Sequence, residues 1–542
     1  MRKKIYLDTW LNLKPYDKQA PTDKYYLRLC NEVYDVLRQD DFLISSELKL
    51  SESRIQSLAC FLTCYFEDLV SGTNVWNSFV RKHQELYGRL IPFYAVDETY
   101  VEEEINLEDV MFLIWYFLDL DVLGKFLSPH HIMFFNLGNA VFPIFEKAWE
   151  YAPENVYLRS FYEMDPTNTN YYDARRLMDR ILYETYLFAV DMLDVLDDDV
   201  TALIEIAERD KLAKSMLIDL YKDVRDDVTL GQPTKLLSRY AKDWVMDILG
   251  PEHPVTAACR EMSPRVKGSF LYKGQDEETV ELEYIATGHR FLMTKKSFDY
   301  SDELVEVDTI VNIGLVRWEG VWWFSGSYFK LGFNPDYVLD KRNSMDERAK
   351  VSFLDEDQEG MKAFFAKQQE SFRAFTGGYD MAFMPTPEVE GFINTLMEFY
   401  NEGLGLDDQS KEQFDQRLRE AGIRLAAKEK KIEDKKTQDS SEIAVVFFNP
   451  KKGLEVAMYV YSAFPLPNNP YFDESQTAEH VQTLFLSENT SKELCLYCMD
   501  HFGEKLPVFQ EGLWKLWMDD IDFLLRYWKR ENYHSAHSIV AV

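Results

Sequence analysis

The spacing of hydrophobic residues changes sharply near residue 265, and this change constrains the fold more than any other feature of the sequence. From about residue 20 to residue 260, apolar residues recur every three or four positions, as they do in amphipathic helices. Beyond residue 265 they alternate with polar residues, which is typical of strands with one buried face. The two patterns predict a multidomain α+β protein whose N-terminal domain, residues 1–260, is mostly helical.

The alternating stretch covers residues 265–331 and is predicted to form a small all-β module in the middle of the chain. Val280, Leu282 and Tyr284 alternate with glutamates. A Glu-Gly pair at 319–320 separates two runs of β-branched and aromatic residues, as a tight hairpin turn would. About five short strands in a module of this length favour an SH3-like or OB-like β-barrel.

The C-terminal part of the chain returns to mixed patterns. Residues 335–440 are predicted to form a helical segment and a charged linker, because helical spacing there gives way to a run rich in lysine and glutamate. Two apolar runs follow at residues 442–448 and 454–461, and neither alternates. Strands of this kind are usually covered on both faces, so residues 441–542 are predicted to form an α+β C-terminal domain.

A strong negative charge excludes some classes of partner. The 542 residues include 93 acidic and 60 basic ones, which gives a formal net charge of −33. This charge disfavours nucleic acid and anionic membrane surfaces as partners. The most apolar run, Val110–Leu118, is too short to cross a bilayer and is predicted to be a buried helix. Polar residues interrupt the first 16 positions, so no export signal is predicted there, and the protein is expected to be cytoplasmic with reduced thiols.

Two of the six cysteines, Cys495 and Cys498, lie in the sequence CLYCMDH, which could belong to a zinc site or a redox pair. A zinc site of this type needs a second ligand pair, and the other four cysteines form no second CxxC. A redox pair would lie at a helix N-terminus, whereas a helix capped at residues 489–491 places Cys495 one turn later. The stretch is therefore predicted to be the buried face of a C-terminal helix, with His501 at its rim.

An acidic run at residues 191–199 offers candidate metal ligands. On a helix Asp191, Asp194 and Asp198 share one face, and carboxylates in such an arrangement can hold Mg²⁺. The spacing does not match that of aspartate-rich helices that bind diphosphates. The run is more typical of a solvated helix end, with Asp197–Asp199 ending one helix and capping the next.

The predicted barrel carries more aromatic residues than its core needs. Trp322 and Trp323 are adjacent in a strand and must point to opposite faces, so only one of them can fill the core. The other packs on a neighbouring domain or presents a surface for a peptide. We predict Trp322, Trp323 and Tyr328 as candidate binding residues for a protein partner.

Familiar catalytic patterns are missing from the sequence. No GxxxxGK[ST], GxGxxG, GxSxG or HExxH pattern occurs, so no catalytic residue, cofactor-binding residue or cofactor is predicted. The large helical part and the surplus aromatic residues favour a non-enzymatic protein-interaction or adaptor protein. One alternative is a metal-dependent hydrolase or transferase that uses the aspartates at 191–198. A weaker alternative is an RNA- or ribosome-associated protein that uses the lysines between residues 428 and 436.

Three segments carry a resemblance that extends over most of the chain. They are YLDTWLNLKPY at residues 6–16, LVRWEGVWWFSGSY at residues 315–328 and DDIDFLLRYWKRENY at residues 519–533. Together they resemble a bacterial family of uncharacterised proteins, known as a domain of unknown function. The resemblance implies a bacterial cytoplasmic protein and supplies no catalytic residues.

Overall fold

The computed structural model describes residues 4–45, 48–120, 126–354, 358–403 and 442–533. The chain forms two compact units. The first, the helical unit, comprises Met1–Arg265, Val316–Val321 and Asp519–Tyr527. The second, the mixed unit, comprises Val266–Leu315, Trp322–Met518 and Trp528–Val542. The protein is α+β with a helical N-terminal part, as predicted. The finer division into residues 265–331, 335–440 and 441–542 stays a prediction.

Amphipathic spacing makes most of the helical unit helical, and local caps set several helix ends. Ser51 Oγ accepts a hydrogen bond from Arg54 N at the start of one helix, and Gly72, with φ +63°, ends it in the left-handed conformation. The helices of this unit are Leu7–Leu11, Asp23–Leu37, Asp41–Ser45, Glu52–Ser71, Val75–Tyr87, Leu107–Asp119, Ile132–Trp149, Val156–Arg159, Tyr171–Glu184, Tyr186–Asp210, Lys214–Gly231, Ala241–Leu249, Val255–Glu261 and Ile521–Trp528.

Helix Leu107–Asp119 is buried on every side. Each residue of the apolar run from Val110 to Leu118 is buried, which confirms the prediction of a buried helix. A helix that is apolar all round needs neighbours all round. One neighbour comes unusually close, because Gly138 has no side chain and a Cβ there would lie 2.7 Å from Met111 Cγ.

A segment remote in the sequence, Asp519–Tyr527, completes this core. The ring of Phe523 lies 6.2 Å from that of Phe112, and the ring of Tyr527 lies 5.3 Å from that of Trp115. Aromatic pairs at these separations contribute both buried area and favourable ring–ring contact. The core of the helical unit therefore includes residues that follow the whole of the five-stranded sheet in the sequence.

Lys14 places a positive charge inside the helical unit. Its ammonium group donates to Glu67 Oε2, and both side chains are hidden from solvent. Asn155 Nδ2 donates to the other Glu67 oxygen over 2.7 Å. Burial alone would lower the pKa of Lys14, but attraction to Cys64 and Glu67 outweighs it and raises the pKa. The ionised pair joins the N-terminal segment to helix Glu52–Ser71.

A five-stranded sheet of mixed direction follows the first helical segment. Its strands are β1 (Val266–Gln275), β2 (Thr279–Tyr284), β3 (Arg290–Thr294), β4 (Ile310–Trp318) and β5 (Val321–Leu331). The strand order is β1-β2-β3-β5-β4, and β1 pairs antiparallel with both β2 and β4. Glu319 and Gly320 have φ of +48° and +78°, the left-handed geometry expected for the tight turn between β4 and β5.

Tyr284 lies in the core of this sheet and restricts position 268. It is fully buried, and its hydroxyl donates to Glu347 Oε2 over 2.8 Å. A Cβ on Gly268 of β1 would lie 2.6 Å from the Tyr284 ring and 2.7 Å from its hydroxyl oxygen. Position 268 therefore requires glycine for space.

The mixed unit also contains a three-stranded antiparallel sheet. Its strands, in the order β6-β7-β8, are β6 (Met381–Pro385), β7 (Ile443–Asn449) and β8 (Gly453–Met458). The sequence pattern predicts β7 and β8 but not β6, a five-residue strand that ends in proline. The helices of this unit are Pro335–Asn343, Met345–Ala349, Gln358–Phe375, Val389–Gly403, Thr477–Leu486, Lys492–Phe502, Pro507–Gln510, Gly512–Trp517 and Arg530–Tyr533.

Candidate functional site

Strand β5 carries the aromatic residues that the sequence singles out, and all three are half-buried. Trp322 packs edge-to-face on Phe291 with 4.7 Å between ring centroids, and together with Tyr328 it packs against the core of the five-stranded sheet. Trp323 points to the opposite face of the strand, as does the buried Ser325. Trp322 is thus the tryptophan that fills part of the core.

Tyr328 forms a stacked pair with Tyr300, which the sequence pattern does not single out. The two rings are 5.0 Å apart and 15° from parallel, and Phe298 lies edge-on to Tyr328 at 5.1 Å. Tyr300 is 44% exposed. The Tyr328 hydroxyl is shielded from solvent and has no hydrogen-bond partner within the described ranges. Burial, reinforced by Glu303, raises the pKa of Tyr328 to about 12, so its phenol is neutral at physiological pH.

The loop at residues 298–309 is strongly acidic. Glu303 and Asp308 are paired with lysines. Three other carboxylates of the loop are exposed and form no ion pair with any residue that the structure describes; they are Asp299, Asp302 and Glu306. The loop therefore keeps uncompensated negative charge beside Tyr300.

The same loop presents apolar side chains to solvent. Val305 is 79% exposed and Val307 is 61% exposed. Valine side chains this exposed, in the same loop as Tyr300, add apolar surface to an acidic segment. We define the tyrosine surface as Tyr300, Tyr328, Val305 and Val307 with the three carboxylates named above.

The structure places the candidate metal ligands on one helix but in different environments. Helix Tyr186–Asp210 runs straight through the acidic run, so the expectation that Asp197–Asp199 end one helix and cap the next is wrong. Asp191 is buried, and its Oδ2 accepts a hydrogen bond from Lys235 N over 2.8 Å, whereas Asp194 and Asp198 are exposed. Among the residues described, no group of three or more His, Cys, Asp or Glu side chains could hold a metal ion. Metal-dependent catalysis at these aspartates stays a prediction.

CLYCMDH lies in helix Lys492–Phe502. Ser491 caps the helix by accepting a hydrogen bond from a backbone N–H, so Cys495 falls one turn inside it, as predicted. Cys495 and Cys498 are fully buried, and each thiol donates to a backbone carbonyl group. His501 is exposed. The prediction that this stretch is the inner face of a helix is confirmed.

We expect Cys495 and Cys498 to react with iodoacetamide at least about a hundredfold more slowly in the folded protein than in urea, because reaction requires local unfolding. Both thiols are inaccessible, and burial raises the pKa of Cys495 to about 11. Alkylation time courses read by peptide mass spectrometry measure the difference. Asp500→Cys, on the exposed side of the same helix, is the control that should react rapidly. Rapid labelling of either native thiol would contradict the expectation.

A cleft in the helical unit contains a buried carboxylate, Asp109. Its Oδ1 accepts a hydrogen bond from Tyr100 OH over 2.8 Å. Its Oδ2 accepts from Tyr65 OH over 2.9 Å, from Trp76 Nε1 over 3.1 Å and from Asn106 Nδ2 over 3.3 Å. Burial raises the pKa of Asp109 to about 7, although all these donors favour the ionised form. A carboxyl group that titrates near neutrality beside a cleft is a candidate functional group.

The cleft is open to solvent, and the space within it that a small group can occupy is about 20 Å³. The half-buried Tyr100 and the exposed Glu102–Glu104 border it, whereas the Trp76 side chain at its wall is only 1% exposed. Arg81 also borders it, and its guanidinium donates to Asn74 Oδ1 over 2.8 Å. The cleft therefore combines one accessible aromatic ring with an excess of acidic side chains.

Two further expectations concern membranes and RNA. No helix in the described part of the chain combines the length and apolar character that crossing a membrane requires. The lysines at residues 428–436, which the RNA alternative uses, lie outside the described residues.

Comparison with known proteins assigns the chain to a family without assigning it an activity. A family model described as "Protein of unknown function (DUF3843)" matches residues 4–283, more than half of the chain. No curated protein and no solved structure gives a significant match. The matched range includes residues 4–265 of the helical unit, strand β1 and most of strand β2. The chain therefore belongs to the DUF3843 family of proteins of unknown function, in agreement with the resemblance to a domain of unknown function seen in its sequence.

Proposed function

We propose that this protein is a bacterial, cytoplasmic, non-enzymatic interaction protein whose tyrosine surface binds a basic and apolar segment of a partner protein. The observation that carries the proposal is the half-exposed Tyr300 ring, stacked on Tyr328 beside carboxylates that lack an ion-pair partner within the described ranges. A rigid aromatic pair offers a large contact area at a small entropic cost, which is why tyrosine is common in protein-binding surfaces.

The chemistry of the surface favours a partner with lysine or arginine next to aliphatic residues. A cation over the face of Tyr300 gains cation–π attraction, and the neighbouring carboxylates add to it. Val305 and Val307 are exposed enough to receive aliphatic side chains. The same negative charge repels the phosphates of RNA.

The fold that accompanies this function is a small SH3-like or OB-like barrel. The order of strand pairing supports this fold, since β1 pairs with both β2 and β4, and β3 pairs with β5. Such a series returns to the strand from which it began, as in small barrels. SH3-like barrels bind extended peptides along aromatic surfaces.

Peptide titration tests the proposed binding. The probe is a fluorescently labelled eight-residue peptide that alternates lysine with leucine, and its anisotropy is followed as full-length protein is added. We expect Tyr300→Ala to weaken binding at least about tenfold, or ~1.4 kcal/mol, because the exposed aromatic face is lost. Asp302→Lys should weaken it by a similar factor, since it reverses a charge of the surface.

Tyr151→Ala is the matched control, since Tyr151 is an exposed tyrosine of the helical unit, and it should leave binding unchanged. A peptide that alternates glutamate with leucine should bind at least about tenfold more weakly than the lysine peptide. The proposal fails if the two peptides bind equally. It also fails if Tyr300→Ala has no more effect than Tyr151→Ala, because binding would then reflect only the overall charge of the protein.

A further inference from the structure

The cleft at Asp109 is a second candidate site, and nothing about it depends on the tyrosine surface. We infer that the cleft binds a small aliphatic amine whose ammonium group donates a hydrogen bond to the hydroxyl oxygen of Tyr100. The inference rests on the cavity, on the hydrogen-bond chain at its inner end and on the side chains that line it.

Tyr100 is the group through which Asp109 can act on a ligand. Asp109 and Trp76 are almost completely buried, whereas Tyr100 is half-buried, so of these three residues at the cleft it is Tyr100 that a ligand can reach. The Tyr100 hydroxyl uses its proton to donate to Asp109 Oδ1, which leaves its oxygen lone pairs to accept from a ligand. A carboxylate behind the hydroxyl polarises it and strengthens it as an acceptor.

Asp109 is held in place independently of Tyr100. Tyr65, Trp76 and Asn106 donate to its other oxygen, Oδ2. These donors stabilise negative charge on the carboxyl group, which a nearby ammonium group would stabilise further. Amine binding and ionisation of Asp109 therefore favour each other.

The lining of the cleft selects a cation over other small molecules. The half-buried ring of Tyr100 offers a face for an ammonium group or its methylene chain, whereas the Trp76 ring is packed against Tyr65, Phe79 and Phe112. Glu102–Glu104 form no ion pair with a residue in the described ranges, so they remain available to a second charge at the rim. Arg81 would attract a carboxylate, but the glutamates outnumber it. A space of about 20 Å³ has room for one ammonium group, so the carbon chain of the amine extends over the exposed glutamates at the rim.

Calorimetric titration of the full-length protein with 1,4-diaminobutane and n-butylamine tests the inference. We expect saturable binding of both amines, with the diamine tighter, and a rise in melting temperature on addition of either one. Butan-1-ol, succinate and 4-aminobutyrate share the carbon chain and should bind at least about tenfold more weakly. Magnesium chloride, added to give the same concentration of positive charge as the amine, controls for general screening of the acidic rim.

Tyr100→Phe is the decisive variant, because it removes the hydroxyl and keeps the ring. We expect it to weaken amine binding at least tenfold. Tyr34→Phe is the matched control, since the Tyr34 hydroxyl donates to a carboxylate, Glu52, over 2.7 Å elsewhere in the helical unit. Glu103→Gln changes only an exposed side chain at the rim and leaves the buried core intact, and it should weaken binding of the diamine more than binding of n-butylamine.

Three outcomes would overturn the inference. The first is that neither amine, at about 50 mM, gives a heat of binding or a shift in melting temperature. Even very small ligands bind detectably at concentrations of this order. The second is equal stabilisation by magnesium chloride, or tighter binding of succinate or 4-aminobutyrate. The third is unchanged amine binding in both Tyr100→Phe and Glu103→Gln.

Discussion

Replacing Lys14 with methionine is expected to lower the free energy of unfolding by about 3–5 kcal/mol, the range observed when one partner of a buried ion pair is removed. Methionine is close to lysine in length, so it leaves little empty space. The loss arises because Glu67 stays buried with Asn155 as its remaining donor and no compensating positive charge. Urea denaturation followed by far-ultraviolet circular dichroism measures the change.

Two further variants separate the buried pair from a general effect of losing a lysine. Lys222→Met removes an exposed lysine that pairs with Asp219 over 3.0 Å, and it should change stability by less than about 1 kcal/mol. Lys14→Met combined with Glu67→Leu removes both charges and should recover most of the loss. If Lys14→Met alone behaves like Lys222→Met, the pair does not contribute to stability in the way its burial indicates.

Gly268→Ala is expected to lower the free energy of unfolding by about 2–3 kcal/mol, as overpacking of a filled core does. The added methyl group would overlap the Tyr284 ring, which is rigid and fully buried. Moving that ring away also breaks the hydrogen bond from the Tyr284 hydroxyl to Glu347. Thermal unfolding followed by tryptophan fluorescence provides the measurement.

Gly332→Ala is the matched control for this substitution. Gly332 follows β5, and a Cβ at that position meets no atom within 4 Å. Its φ lies outside the left-handed region, so alanine is also compatible with the backbone there. We expect a change of less than about 0.5 kcal/mol. Equal effects of the two substitutions would show that the Tyr284 ring moves without strain.

Features that depend on neighbours in the sequence were predictable. Nine consecutive apolar residues from Val110 to Leu118 required a buried element too short for a membrane, and the structure has a buried helix there. The turn at Glu319-Gly320 and the position of Cys495 within its helix also follow from local rules of turn and cap formation. In each case the deciding contacts lie within a few residues.

Features that depend on distant residues were not predictable from one sequence. The stacked pair joins Tyr300 of a loop to Tyr328 of β5, and no spacing rule connects them. The donors to Asp109 are even more dispersed, since Tyr65 lies 44 positions away and Trp76 lies 33 positions away. Helical spacing identifies which side of a segment is buried but not which polar groups meet inside the core.

The placement of Asp519–Tyr527 within the helical unit has a consequence for synthesis on the ribosome. Chains grow from the N-terminus at ~5–20 residues per second, so Phe523 appears roughly 13–50 s after Arg265. During that interval Phe112 lacks its contact with the ring of Phe523, and Trp115 lacks its contact with the ring of Tyr527. The nascent helical unit therefore exposes aromatic surface until residues 519–527 emerge, and its folding is completed only after most of the mixed unit has been translated.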